Sequence, residues 1–302
     1  MAPELLQVLR GLSLNREPGW NFPANFIELS FDELGADFSR LSIEPGPHCI
    51  DESGQVHLAA LSILADIGVG SCMRTMFGHD TRMATVALGV QFTGVRPLGK
   101  LEQLSHFDGT IGTGTVRQGM ATGRMHAGSA LVATISGTFV ALGNAANLAP
   151  LPTRRRGCYE VPALSPPDLV DAEIDTYARA EAAVQGCGHS FLSRFWGLLP
   201  SATHNGAVAS FDNGLQVGNR MGHTQGGISF AMAALTACAA LGDGWRLVAV
   251  HGSYISAGTA TQLKAVATIL HRGRTTAVVR TALADADGRV VIETTSNHSR
   301  LA

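Results

Sequence analysis

The chain has 302 residues, of which 45% are apolar and 15% are charged, and its formal net charge is −2. This length allows more than one domain and a substantial core. The weak net charge gives no electrostatic reason to expect nucleic acid or a membrane surface as a partner. Five cysteines without a C-x-x-C pair argue against a disulfide framework or a zinc site, so we expect no metal and a reducing, cytoplasmic location.

Residues 1–34 are interpreted as an N-terminal extension. Their start, MAPELLQVLRGL, places Glu4 ahead of a short apolar stretch. It lacks the basic-then-apolar order of a signal peptide. No segment of the chain reaches about 18 unbroken apolar residues, so the sequence predicts no membrane span.

An internal repeat organises the rest of the chain. FSRLSIEPG at 38–46 and GAVASFDNG at 206–214 each have the pattern of a half-buried strand that runs into a glycine turn, and 168 residues separate them. The same offset relates HLAALSILAD at 57–66 to QGGISFAMAA at 225–234. Each of these segments opens a long, almost uncharged helix, and strands with β-branched alternation and glycine turns follow it.

The repeat predicts an α+β fold. A helix that is apolar on nearly all sides must be enclosed, and a curved antiparallel sheet can enclose it. We therefore expect two hotdog repeats, at 35–145 and 191–302, that form a pseudo-dimer within one chain. The intervening 146–190 has a proline-rich start with an arginine triplet at 154–156. It is interpreted as a linker with an amphipathic, acidic-starting helix at 168–184.

The helix openings carry a family resemblance. The pattern N-x-x-G-x-x-H-G-G, an aspartate nine residues beyond the histidine, and a T-x-x-x-x-V-x-F strand resemble the PaaI-like acyl-CoA thioesterases of the hotdog superfamily. The second repeat matches at Asn219, Gly222, Gly226 and Gly227, with Gln225 in place of the histidine. The first repeat matches at His57, Asp66, Thr85, Val90 and Phe92. The first repeat departs from the pattern at Asp51, which replaces the asparagine, and at Leu58 and Ala59, which replace the two glycines. The second repeat departs from it at Ala234, which replaces the aspartate.

Helix geometry explains this division. Nine residues rise about 13.5 Å and end about half a turn out of phase, so a helix head and its own ninth residue face opposite ways. If the two central helices pack antiparallel, Asp66 faces Gln225, Gly226 and Gly227 of the other repeat. His57 would instead face Ala234, which has no acid or base. We infer one working composite site between the repeats and one degenerate site.

These residue types suit thioester hydrolysis. Gly226 and Gly227 have no Cβ, so a ligand oxygen can approach the N–H groups of a helix start, and the pair is predicted to form an oxyanion hole. Asp66 lies in apolar surroundings that raise the pKa of its carboxyl group. It is predicted to act as a general base or as a nucleophile. Thr85 is expected to hold the attacking water or the carboxylate.

Neutral hydrogen-bonding groups complete the predicted site. Gln225 is expected to orient the thioester, and Asn219 and His57 are predicted to bind substrate. Each assignment has a structural competitor. The aspartate and His57 can cap helix heads, the glycine pair can serve helix packing, and Thr85 can be an ordinary β-branched strand residue.

The expected reaction is hydrolysis of an acyl-CoA or related acyl thioester. The sequence has no G-x-S-x-G elbow, no P-loop and no complete dinucleotide fingerprint, so we expect no cofactor. Two alternatives are kept: a hotdog enoyl-CoA hydratase or dehydratase that uses His57, and a non-catalytic acyl-CoA-binding protein. A homodimer of pseudo-dimers is left open.

Overall fold

The computed structural model describes residues 1–17, 21–78, 81–112, 117–144 and 153–301. The start of the expected linker, 146–152, and the end of the first repeat as we assigned it, residue 145, lie outside these ranges. The helices of the described residues are α1 Pro3–Asn15, α2 Phe22–Phe26, α3 Leu58–Phe77, α4 Asp171–Gln185, α5 Phe191–Trp196 and α6 Gly226–Leu241. The strands are β1 Ser30–Leu34, β2 Phe38–Ile43, β3 Thr81–Phe92, β4 Leu101–Ile111, β5 Arg117–Ala127, β6 Ala130–Asn144, β7 Ser201–Thr203, β8 Gly206–Asp212, β9 Trp245–Tyr254, β10 Gln262–Arg272, β11 Thr276–Ala284 and β12 Val290–Arg300.

These strands form one antiparallel sheet in the order β1-β2-β4-β5-β6-β3-β9-β12-β11-β10-β8-β7. Its second half repeats the first in reverse, so β9 corresponds to β3, β12 to β6, β11 to β5, β10 to β4, β8 to β2 and β7 to β1. The halves join where β3 pairs with β9, with Val90 opposite Val250. The predicted α+β arrangement of two hotdog repeats in a pseudo-dimer is confirmed.

The central helices α3 and α6 pack against each other and against the sheet. They approach closely at Gly227, where an added Cβ would lie 2.5 Å from the carbonyl oxygen of Ser62. Helix α3 is long and apolar enough to cross a membrane, but 78% of its apolar window is buried inside the protein. That burial is typical of the core helix of a globular fold.

The N-terminal helices pack against α4 of the linker and against α5 at the start of the second repeat. Arg16, just after α1, forms an ion pair with Glu173 of α4 at 2.7 Å. An aromatic cluster joins α2 to α5 and consists of Phe22, Phe26, Phe191, Phe195 and Trp196. This aromatic cluster also contacts His48 in the loop before α3, so it lies over the loop that leads into the first central helix.

Candidate functional site

A cavity of about 530 Å³ lies at the head of α6. Both repeats contribute to its walls. The first repeat supplies residues of α3, the start of β3 and part of β6, and the second supplies the loop before α6, the head of α6 and the end of β9. Asp66, Thr85, Asn219, Gln225 and Gly226 all line this cavity, so the structure brings five of the seven predicted site residues together.

Asp66 is held from two sides. The Thr85 hydroxyl donates to Oδ1 at 2.9 Å, and the Gln225 side-chain amide donates to Oδ2 at 3.0 Å. The side chain of Gln225 belongs to the second repeat, so the carboxylate is oriented across the junction between the repeats. Asp66 is only 6% exposed.

Burial raises the pKa of Asp66 to about 6. Loss of water around a carboxylate disfavours its charged form. Hydrogen bonds from Thr85, Gln225 and the Gly227 N–H oppose this effect by stabilising the charge, but burial dominates. A carboxyl group with this pKa is largely ionised at neutral pH and is a stronger base than an exposed aspartate.

The backbone N–H groups at the head of α6 differ in their hydrogen bonding. Gln225 is the N-cap residue, and its side-chain oxygen accepts from the Ile228 N–H at 2.9 Å. The Gly227 N–H interacts with the Asp66 carboxylate. In the described part of the chain, no acceptor faces the Gly226 N–H. This N–H lies at a helix start, where the helix dipole also favours negative charge.

The two glycines meet different neighbours. An added Cβ at Gly226 would lie 2.8 Å from the Asp66 Oδ2, whereas one at Gly227 would meet the backbone of Ser62 and Ile63 at 2.5 to 2.7 Å. Gly226 also lines the cavity, and Gly227 is not among the lining residues. The structure therefore places Gly226 beside Asp66 in the cavity wall and Gly227 at the contact between the central helices.

Tyr254, which the sequence analysis did not single out, belongs to the same site. Its hydroxyl donates to the Gly226 carbonyl oxygen at 2.9 Å, and burial, followed by the nearby charge of Asp66, raises its pKa well above the usual range. The repeat alignment contained the available signal, because it matches TVALGVQF at 85–92 to LVAVHGSY at 247–254 and so places Tyr254 at the position equivalent to Phe92. The second repeat thus has a tyrosine hydroxyl at a position where the first repeat has Phe92.

Asn219 braces the loop that forms one wall. Its side-chain oxygen accepts from the backbone N–H groups of Met221 at 2.8 Å and His223 at 3.2 Å. Gly222 adopts a φ of 74°, which lies in the left-handed region that favours glycine. The side-chain acceptor of Asn219 is therefore engaged within the turn while the residue lines the cavity.

His57 lies at the other helix head, which α5 covers. Its Nδ1 accepts from the Ala59 N–H at 3.1 Å, so Nε2 carries the proton and donates to the Ser193 hydroxyl at 2.9 Å. Burial lowers the pKa of His57 to about 4. The imidazole is a neutral helix cap, and it does not line the cavity.

Metal ligands are not clustered in this site. Within the described ranges, no group of three or more histidine, cysteine, aspartate or glutamate side chains is arranged to hold a metal ion. Among the described residues, the cavity lining supplies one carboxylate, a helix head, hydroxyl and amide groups, the His223 imidazole and arginine side chains.

Solved structures with the same architecture show that the chain is a double-hotdog protein. A Lactobacillus plantarum protein provisionally described as an oleoyl thioesterase superposes with a TM-score of 0.55 at 13% identity, over 89% of this chain and 98% of that one. A 12:0-ACP thioesterase from Umbellularia californica gives a TM-score of 0.54 at 9% identity, over 87% and 94% of the chains. At such identities the likeness establishes the fold.

The sequence of the second repeat is similar to known thioesterases and esterases. Residues 217–298 match the family model described as the acyl-CoA thioesterase N-terminal domain. A curated Pseudomonas aeruginosa protein with a provisional esterase name is 35% identical over 92 residues, which is 30% of this chain and 66% of that protein. The match thus spans just under two thirds of the relative. The predicted resemblance to hotdog acyl-CoA thioesterases is confirmed, and the PaaI-like subfamily stays a prediction.

Proposed function

We propose that this chain hydrolyses acyl-CoA or related acyl thioesters at one composite site between its two repeats. The observation that carries this proposal is the position of Asp66. The first repeat supplies a buried carboxylate, and the second supplies both the Gln225 amide that orients it and the Gly226 N–H that faces no acceptor. The thioesterase family match of the second repeat supports the same conclusion.

The reaction follows from these contacts. Ionised Asp66 takes a proton from water, and the water oxygen adds to the thioester carbonyl carbon. The carbonyl oxygen becomes an oxyanion, which accepts a hydrogen bond from the Gly226 N–H and lies at the positive end of the α6 dipole. Collapse of this intermediate breaks the C–S bond and releases the acid, while the thiolate takes the proton from Asp66. Direct attack by the carboxylate is the second route, and it uses the same donor.

The test of this proposal is thiol release from a panel of short, medium, long and aromatic acyl-CoAs. The wild-type chain should hydrolyse at least one of them. Asp66→Asn keeps the side-chain volume but removes the base, so kcat should fall at least about 100-fold. Ser193→Ala alters the covered helix head and should leave kcat unchanged. Hydrolysis that is equally fast in Asp66→Asn would exclude this carboxylate from the reaction.

The oxyanion step has its own test. In Gly226→Ala the new Cβ would stand 2.8 Å from the Asp66 carboxylate oxygen, within the space that the thioester carbonyl needs. We expect kcat to fall by roughly 10²- to 10³-fold, the range for loss of one oxyanion donor. Alanine favours helix over glycine, so the far-ultraviolet circular dichroism should stay that of the parent. Normal hydrolysis in this variant would refute the oxyanion role of Gly226.

The hydratase alternative depended on His57, and that side chain is a neutral cap under α5. The binding-protein alternative is separated by the same assay. Tight acyl-CoA binding without thiol release would select it.

A further inference from the structure

Ser229 is a buried residue with a hydroxyl group in the wall of the cavity. It lies on α6, three residues beyond Gly226, and is only 1% exposed. It nevertheless lines the cavity together with Gly226 and Asp66. Residues three positions apart on a helix share one face, about 5 to 6 Å from each other. The Ser229 side chain is therefore a near neighbour of the N–H group that is proposed to hold the oxyanion.

The Ser229 hydroxyl is unpaired. Within the ranges that the structure describes, it has no hydrogen-bond partner, and packing does not seal it off from the cavity. Buried polar groups in folded proteins nearly always have a partner, so a group without one indicates a place for a bound molecule. The hydroxyl of Ser229 is thus available to a ligand that fills the cavity.

Other hydroxyl groups on the central helices are already engaged. Ser71 lines the cavity from α3, and its hydroxyl donates to the Ile67 carbonyl oxygen at 2.6 Å. Thr236, further along α6, donates to the Met232 carbonyl oxygen at 2.6 Å. A hydroxyl that bonds the preceding turn in this way is satisfied by its own helix. Ser229 makes no such bond, and Ser71 therefore provides a matched comparison within the same cavity.

Burial along α6 indicates which part of a ligand meets Ser229. Met221, in the loop before the helix, is 37% exposed, whereas Ile228 and Phe230 are fully buried. Ser229 therefore lies on the buried side of Gly226. The phosphate groups of CoA are costly to remove from water, so the thiol arm of the ligand must lead out to the surface. The enclosed part of the ligand, next to Ser229, is then the acyl group.

Helix geometry limits the position of the contact on the acyl group. A thioester carbonyl that accepts from the Gly226 N–H holds its oxygen about 2.9 Å from that nitrogen. The Ser229 hydroxyl lies about 5 to 6 Å along the same helix face. A substituent oxygen on the second or third carbon of the acyl chain is two or three bonds from the carbonyl carbon. With one further hydrogen bond of about 2.8 Å, such an oxygen spans this distance.

We propose that Ser229 is a specificity-determining residue, whose hydroxyl bonds an oxygen on the second or third carbon of the acyl group. This inference rests on the proposed thioesterase function and names the substrate class: 2-hydroxy, 3-hydroxy or 3-oxo acyl thioesters. A serine hydroxyl can donate to each of these oxygens. A saturated chain would displace water from Ser229 without replacing its hydrogen bond, and a site of this kind discriminates against such a ligand.

The test compares kcat/KM for four acyl-CoAs of one chain length: the saturated, 2-hydroxy, 3-hydroxy and 3-oxo esters. The wild-type chain should prefer at least one oxygenated ester to the saturated ester by about tenfold or more. Ser229→Ala should lower this ratio about tenfold, as expected for loss of one hydrogen bond. Alanine favours helix, so the circular dichroism should stay that of the parent. Ser71→Ala, which removes a hydroxyl bonded within α3, should leave the ratio unchanged.

The pattern of losses identifies the recognised oxygen. A selective loss for one oxygenated ester shows which carbon carries that oxygen. An equal loss for all four esters would show that Ser229 contacts the thiol arm that they share, and it would overturn the proposal. Unchanged kcat/KM values for all four esters in Ser229→Ala would overturn it as well.

Binding separates failure of this inference from failure of the thioesterase proposal. Calorimetry gives Kd for the same four esters in Asp66→Asn, with and without Ser229→Ala. If the wild-type chain hydrolyses thioesters but Ser229→Ala keeps the ratio of the parent, the specificity role alone is wrong. If no thioester is hydrolysed but Ser229→Ala weakens binding of an oxygenated ester only, the contact stands and the reaction is wrong.

Discussion

Replacing Asp66 by asparagine is expected to stabilise the folded protein at high pH. The carboxyl group has a pKa of about 6 when folded and about 3.9 when unfolded. Below the unfolded pKa both states are protonated, and the group has no effect. Between the unfolded and the folded pKa the unfolded state has lost its proton while the folded state keeps it, so stability falls over this range, and the loss is complete above the folded pKa. The difference of about two pKa units corresponds to about 3 kcal/mol at pH 8.

Asparagine carries no charge, so Asp66→Asn removes this loss of stability and introduces a smaller one. Thr85 and Gln225 donate to different carboxylate oxygens, and asparagine replaces one of these oxygens by an NH2 group that cannot accept, so one hydrogen bond worth about 1 kcal/mol is lost. Asp66→Asn should therefore exceed the wild-type chain in stability by about 2 kcal/mol at pH 8, and it should be slightly less stable at pH 4. Urea unfolding at both pH values measures the difference, with Asp108→Asn as an exposed control.

The result that would refute this reasoning is an Asp66→Asn variant that is less stable than the wild type by a similar amount at pH 4 and pH 8. Such a variant would show that Asp66 is a satisfied structural cap. We expect Asp66→Asn to lower activity and to raise stability at pH 8. This combination is typical of a site in which a destabilising buried charge serves catalysis.

Three further substitutions separate packing from chemistry. Gly227→Ala should destabilise the chain by about 1–3 kcal/mol, because its Cβ would press on the Ser62 carbonyl; an unchanged melting temperature would exclude a packing role. Tyr254→Phe removes the hydroxyl that bonds Gly226 and should lower kcat about tenfold with a change of only about 1 kcal/mol in the free energy of unfolding; full activity would contradict this. Ser193→Ala leaves a buried imidazole donor without its acceptor and should lower stability by about 1–3 kcal/mol, and unchanged thermal melting would count against that hydrogen bond.

Much of this architecture was predictable because it repeats. The 168-residue offset that relates 57–66 to 225–234 predicted two central helices, and they begin at Leu58 and Gly226. The half-turn argument predicted that Asp66 would lie against the head of the other helix, where Gln225 contacts it. Periodicity and helix phase are local properties of a sequence, so they carry over to the fold when packing does not override them.

The parts of the site that were not predicted depend on long-range packing. Helix α5 covers the start of α3 at His57, and the two residues that form this contact, His57 and Ser193, are 136 positions apart in the sequence. The residues of the aromatic cluster that supports α5 follow no periodic pattern in the sequence. Gly226 and Gly227 are adjacent in sequence, but one faces the cavity and the other faces α3. The cavity lining likewise includes Arg74, Arg82 and Arg220, which come from a helix end, a strand start and a loop that only the folded chain brings together.

The central claim, that one site draws its base and the group that orients it from different repeats, is tested most directly by a double-mutant cycle of kcat/KM. Asp66→Asn should lower kcat/KM at least about 100-fold, and Gln225→Ala about tenfold through loss of one hydrogen bond to the base. Because Gln225 acts through Asp66, the double variant should be no slower than Asp66→Asn alone. A double variant whose loss equals the product of the two single losses would show that these residues act independently, and it would contradict the composite site.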